Sequence, residues 1–146
     1  MRNRLSGKWI VPIAIFGFGV TASLAGDAND KATALPLHPG MTFQQEVDSP
    51  VCGRKARIYL YDVPSGASMA DYLAWYKAQL KGFRYFHQTW DNRPQEMFYS
   101  ADGTKGVTLT GMPEGGEVFS ASYLSVAPGL TAHEMAAFSP SNPSCK

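Results

Sequence analysis

Apolar and polar positions along this chain alternate with two different periods, and the change from one period to the other marks the elements. Met69, Tyr72, Leu73, Tyr76 and Leu80 recur three or four residues apart, which aligns them on one face of an α-helix. Ser68 and Asp71 stand at capping-box spacing ahead of that stripe, after the turn pair Ser65-Gly66. Asp71 near the start and Lys77 and Lys81 near the end suit the helix dipole. Gly82 is placed to stop the helix, because glycine takes the left-handed conformation without strain. The pattern predicts a helix of about 13 residues whose single apolar stripe needs a sheet to lie on.

On both sides of the helix the period falls to two. Arg57-Ile58-Tyr59-Leu60-Tyr61 reads as a strand before it, and Phe83 to Trp90, Gln95 to Ser100, Val107 to Thr110 and Val118 to Val126 read as strands after it. A polar loop, Asp91-Asn92-Arg93-Pro94, the hairpin pair Asp102-Gly103 and the turn Pro113-Glu114-Gly115-Gly116 separate the last four. Short connections make antiparallel neighbours, so those four strands should form a meander. The expected fold class is α+β: a two-layer sandwich with one main helix on an antiparallel sheet of about five strands, ordered strand, helix, four-strand meander. Met41 to Val47 is a candidate for a short edge strand.

The flanks carry less pattern. Residues 26–34 are small, polar and charged, and Leu35-Pro36-Leu37-His38-Pro39-Gly40 is stiffened by two prolines, so 26–40 is expected to be a flexible lead-in and turn. Residues 41–127 form the expected α+β domain. Residues 128–146 read as a tail, with room for a helical turn or two between Thr131 and Ala137. The run from Leu35-Pro-Leu-His-Pro-Gly40 through Trp75-Tyr76 to Gly82-Phe83 resembles a pattern of small exported bacterial proteins. That resemblance rests on capping and turn residues and implies no activity.

Charge and composition change the picture at the start of the chain. Arg2, Arg4 and Lys8 precede an uncharged apolar run, Trp9 to Val20, and small Ser23 and Ala25 follow it. Residues 1–25 therefore read as a secretory signal cut before Gly26, leaving no membrane insertion after cleavage and a periplasmic or secreted protein. Cys52 and Cys145, the chain's two cysteines, are expected to pair in that oxidising compartment and to tie back the tail. Without Arg2, Arg4 and Lys8 the 13 basic residues fall to 10 against 12 acidic ones, which is not the footprint of a nucleic-acid partner. Arg54, Lys55 and Arg57 read as the solvated start of a strand.

Candidate chemistry is sparse. His38, His87 and His133 show no metal-ligand spacing, so neither a metal nor a cofactor is expected. Gly-x-Ser-x-Gly is absent, and the glycine pairs near Gly103 and Gly115 belong to hairpin turns instead of helix starts. A set of Ser100, His87 and Asp102 has no local motif behind it, and the acid pairs Asp91 with Glu96 and Glu114 with Glu117 flank turns. No catalytic residue is assigned. What remains is a surplus of aromatic residues, fifteen beyond residue 25. Tyr59 and Tyr61 point opposite to Ile58 and Leu60, and Trp90 ends a strand. Together with His87 they are the candidate binding residues, on the expectation that they reach an uncovered sheet face. The competing expectation is that the tail from Pro128 covers that face.

These readings favour an exported non-catalytic binding or interaction protein, of inhibitor or immunity type, acting on a protein partner in the envelope or outside the cell. One alternative is a small exported hydrolase with its site around His87 and the Asp91–Glu96 loop. Another is a small-ligand carrier with a pocket between helix and sheet, against which the packing of Tyr72, Tyr76 and Phe83 argues.

Overall fold

The computed structural model describes residues 29–30 and 32–137. The signal at 1–25 and the second half of the expected Cys52–Cys145 pair lie outside the described residues. Ten elements follow one another: β1 (Asn29–Asp30), β2 (Leu35–Pro36), β3 (Thr42–Asp48), β4 (Lys55–Asp62), α1 (Met69–Gln79), β5 (Arg84–Trp90), β6 (Arg93–Tyr99), β7 (Lys105–Gly111), β8 (Val118–Ala127) and α2 (Ala132–Ala137). β3 to β8 make one antiparallel sheet in the order β3-β4-β8-β7-β6-β5, and β1 pairs with β2 in a separate ladder. The protein is thus an α+β sheet-and-helix fold with six strands in the main sheet, one more than about five. The extra strand is the edge candidate at Met41 to Val47, held by its antiparallel pairing with β4. The meander β5-β6-β7-β8 is present, and its last strand docks beside β4.

α1 begins where its capping residues place it. The Ser68 hydroxyl accepts from the Asp71 N–H at 3.2 Å, and Gly82 leaves the helix end at φ +88°. Met69, Tyr72 and Tyr76 turn inward with Leu80, and pack on Tyr59, Tyr61, Phe98, Val107, Leu109, Ala121 and Tyr123 from one sheet face. That interior is unusually rich in tyrosine, and its hydroxyls are satisfied in series. Tyr123 donates to the Pro36 carbonyl and receives a 2.7 Å bond from Tyr76, whose hydroxyl also touches the Met41 sulfur. Burial holds the Tyr76 and Tyr123 hydroxyls protonated well beyond the ordinary tyrosine range.

The lead-in departs from expectation. Asp30, Thr33 and Leu35 are packed, at 3 %, 1 % and 5 % exposed. Asp30 Oδ1 accepts from the N–H of Ala32 and from both the N–H and the hydroxyl of Thr33, and Oδ2 accepts from the Tyr61 hydroxyl. A polar residue that looked like linker material is a buried anchor, because four donors replace its hydration.

The tail crosses to the sheet face opposite α1. It is guided there by a backbone contact too close for side chains. A Cβ on Gly129 would lie 1.9 Å from the Asp102 carbonyl oxygen, and one on Gly103 2.1 Å from that of Leu130. Leu130 and Met135 then pack with Val51, Met97, Tyr99, Leu124 and Val126. Thr131 and Glu134 close a reciprocal capping box at the start of α2, and Glu134 reaches the Arg54 guanidinium at 2.5 Å. Arg54, immediately ahead of β4, is thus a tether for the tail. Arg54 and the capping hydrogen bonds hold the Glu134 carboxyl down to about 2. Its contribution is full above the ordinary carboxylate value and fades as pH falls toward about 2.

Candidate functional site

Three cross-strand rows build the sheet face turned away from α1. Ile58, Leu124 and Tyr99 make the first, with Tyr99 lying over Gly106. Leu60, Ser122, Thr108 and Met97 make the second. Ser120, Thr110 and Gln95 make the third. The tail packs against one end of this face, Leu130 and Met135 clustering with Tyr99 and Leu124. Residues of all three rows line a concave groove of about 570 Å³, whose far end is walled by Trp90, Arg93 and Phe119. Its floor grades from aliphatic under the tail to hydroxyl and amide at the open end. The tail packs at one end of this face and leaves the other bare.

Two local irregularities place the far wall. Asp91 and Asn92 both have positive φ, 51° and 62°, and join Trp90 directly to Arg93 across a two-residue hairpin. Half of the stretch expected as a four-residue polar loop is therefore strand, and Arg93 and Trp90 face each other as a pair on the groove side. In β8, Thr110 pairs with Ser120 and Gly111 with Val118, so Phe119 is the extra residue of a bulge. Strict alternation would have sent Phe119 inward with Ala121. The bulge leaves it 53 % exposed on the groove.

The Arg93 guanidinium lies over the Phe119 ring, 4.4 Å from its centroid, and its Nη1 is buried without a hydrogen-bond partner among the described residues. Gln95 is occupied by comparison, donating to Thr110 and accepting from Gln88. Asp91 also lines the groove, exposed on the hairpin turn.

The candidate binding residues separate. Trp90 lines the groove. Tyr59 and Tyr61 do not reach this face: they are 7 % and 6 % exposed and belong to the core under α1. Their opposition to Ile58 and Leu60 is correct, but the inward set is the tyrosines, with the Tyr61 hydroxyl donating to Asp30. Ile58 and Leu60, the residues expected inside, are the groove walls.

His87 also faces away from the groove. Its Nδ1 lies 2.9 Å from Glu96 Oε2, and the Tyr85 hydroxyl donates to the other carboxylate oxygen. Burial first, and the bond to Glu96 second, push the Tyr85 hydroxyl up to about 12. The His87 side chain is 54 % exposed on an edge strand. Asp91 and Glu96 stand on opposite faces, so the loop expected to join them into a site does not. Within the β6–β7 turn Asp102 accepts from the Ser100 hydroxyl and from the N–H and hydroxyl of Thr104, and the Ser100 hydroxyl oxygen accepts from the Lys105 N–H. His38 stacks on Tyr72 at 3.8 Å as part of the helix packing, and His133 is exposed on α2. Among the described residues no group of three His, Cys, Asp or Glu side chains is placed to hold a metal ion, and no helix is long and apolar enough to cross a membrane.

The chain matches no known protein family, no curated protein and no solved structure.

Proposed function

We propose that this is an exported, non-catalytic binding protein and that the half-open groove between the tail and the Trp90–Arg93 hairpin is its binding site. One observation carries the reading: a concave, mostly apolar surface of small-molecule size ends at the half-buried Arg93, whose Nη1 has no hydrogen-bond partner among the described residues. Export to the periplasm or beyond rests on the basic, apolar, small-residue order of residues 1–25. The small-ligand alternative gains from this geometry, with its pocket moved from the helix–sheet interface to the opposite face. The interface itself is filled by Tyr72, Tyr76, Phe98 and Tyr123. A protein partner is the second reading, favoured by the sheet edge at β3, where Phe43 stands 54 % exposed. The hydrolase alternative has the His87–Glu96 pair behind it, on the wrong face for the groove.

Filling the groove tests the reading. Ser122 sits in the middle row, and Ser122→Phe would project a ring into the open space. The mature protein and this variant are exposed to envelope and secreted extracts and examined by native mass spectrometry. A component bound by the parent and lost from a folded variant is the expected result. A protein retained equally by both would move the site to the β3 edge, and no bound component would overturn the binding reading.

We also propose that Cys52 pairs with Cys145. The bond would close a loop of 94 residues and hold down the chain beyond α2. Reduction is expected to lower the free energy of unfolding by about 2–4 kcal/mol, within the chain-entropy limit for a loop of that length. Urea unfolding with and without reductant measures it, and unchanged midpoints would refute the pair.

A further inference from the structure

Resting on the groove reading above, we propose that the ligand is a small amphipathic monocarboxylate, its apolar body on Leu60, Met97 and Leu124 and its carboxylate on Arg93. The floor is ordered along one direction. Under the tail it is aliphatic and aromatic, from Ile58, Leu124, Met97 and Tyr99; at the open end it carries Thr110, Ser120, Gln95 and then Arg93. A ligand that matches this gradient has an apolar end, and an anionic end that meets Arg93 near the mouth.

The cation argues for the anion. A guanidinium nitrogen that is buried without an acceptor gives up its hydration and receives no hydrogen bond from the described residues in return. The ring of Phe119 lies against one face of the guanidinium, and Arg93 lines the groove without an ion-pair partner among the described residues, so a carboxylate there would supply the missing counter-charge. Asp91 sets the charge count: on the turn beside Arg93 it disfavours a second anionic group, so a monoanion fits and a dicarboxylate does not. The hydroxyls of Thr108, Ser120 and Ser122 along the middle tolerate a polar linkage between the two ends. Size points to a small molecule, because the groove holds about 570 Å³.

Decanoate and decanol share an apolar chain and differ in the head group. Their binding to the mature, oxidised protein is measured by calorimetry below micelle-forming concentrations, with Trp90 fluorescence as a second readout. Decanoate is expected to bind at least about tenfold more tightly than decanol, the usual worth of a charge-assisted hydrogen bond. Arg93→Gln is expected to bring the two ligands to equal affinity without weakening decanol, and Ser122→Phe to abolish both. In the parent protein, rising salt should erode the decanoate preference, a measurement that stands even where Arg93→Gln fails to fold. Equal affinities in the parent, a preference that survives Arg93→Gln in a folded variant, or no binding of either probe would each overturn the carboxylate assignment. The groove reading is judged separately, by whether the component captured from extracts is lost on Ser122→Phe.

Discussion

Replacing Asp30 with alanine is expected to lower the free energy of unfolding by about 3 kcal/mol and to free the chain ahead of Met41 from the sheet. The carboxylate accepts four hydrogen bonds, three at Oδ1 from Ala32 and Thr33 and one at Oδ2 from Tyr61. Thr33 is 1 % exposed and Tyr61 6 %, so the donors left behind have little access to water. An unsatisfied buried group costs about 1–3 kcal/mol, and partial relaxation of the short β1–β2 ladder keeps the total below a simple sum. Tyr61→Phe removes one of the same bonds and leaves the turn at Thr33 intact. It should cost about 1–2 kcal/mol, and the double variant should cost less than the two singles together. Urea unfolding of the four proteins gives the cycle, and amide hydrogen exchange at Thr33 and Leu35 reports the release directly. If Asp30→Ala shifts the midpoint no more than Asp62→Ala, an exposed carboxylate on β4, the anchor is refuted.

The same residue shows where the sequence stops being legible. α1 can be read because everything that sets it lies within fifteen residues: a capping hydroxyl, an apolar stripe and a glycine. The meander can be read because its turns are written in local residues such as Asp102-Gly103. Asp30 has no such neighbourhood. Its burial depends on Tyr61, which the chain brings back from the second strand of the main sheet, and nothing within the polar lead-in announces that. Period-two alternation gives a related half-answer at β4. It shows that Tyr59 and Tyr61 share a face and that Ile58 and Leu60 share the other, without saying which face α1 covers. Hydrophobicity alone favours the aliphatic pair for the core, and the structure turns the tyrosines inward, where Asp30 accepts the Tyr61 hydroxyl.

The groove was hidden for two separate reasons. The Asp-Asn pair at 91–92 is suitable for a left-handed two-residue turn, and reading it so would have brought Arg93 into the strand opposite Trp90. The bulge at Phe119 carries no comparable signal. One extra residue in β8 reverses the orientation that alternation assigns, and only the pairing with β7 reveals it. Trp90 was thus found from sequence, Arg93 was findable, and Phe119 was not.

Tyr76→Ala is expected to cost about 3–5 kcal/mol, the range for deleting a large buried aromatic side chain. Tyr76 is 0 % exposed, and its ring packs against Phe98, Trp75 and His38 while its hydroxyl meets Tyr123. Deleting the ring opens a cavity at the centre of the helix–sheet contact and withdraws the donor that Tyr123 accepts. Tyr76→Phe keeps the packing and removes only that bond, so it should cost about 1–2 kcal/mol. The ratio of the two losses separates what holds α1 on the sheet. A large loss for alanine and a small one for phenylalanine would show that aromatic packing dominates, leaving the hydroxyl chain to fix orientation. Nearly equal losses would mean that the buried hydrogen bonds hold the layers together instead. The distinction bears on function, because a layer interface held by close packing has no room to double as a ligand pocket. Thermal and urea unfolding measure the losses, and the decanoate titration on the same variants supplies the functional half. Tyr76→Phe should bind as the parent does, since its hydroxyl faces away from the groove. A loss of decanoate affinity in folded Tyr76→Phe would place the ligand between helix and sheet and count against the site at Arg93.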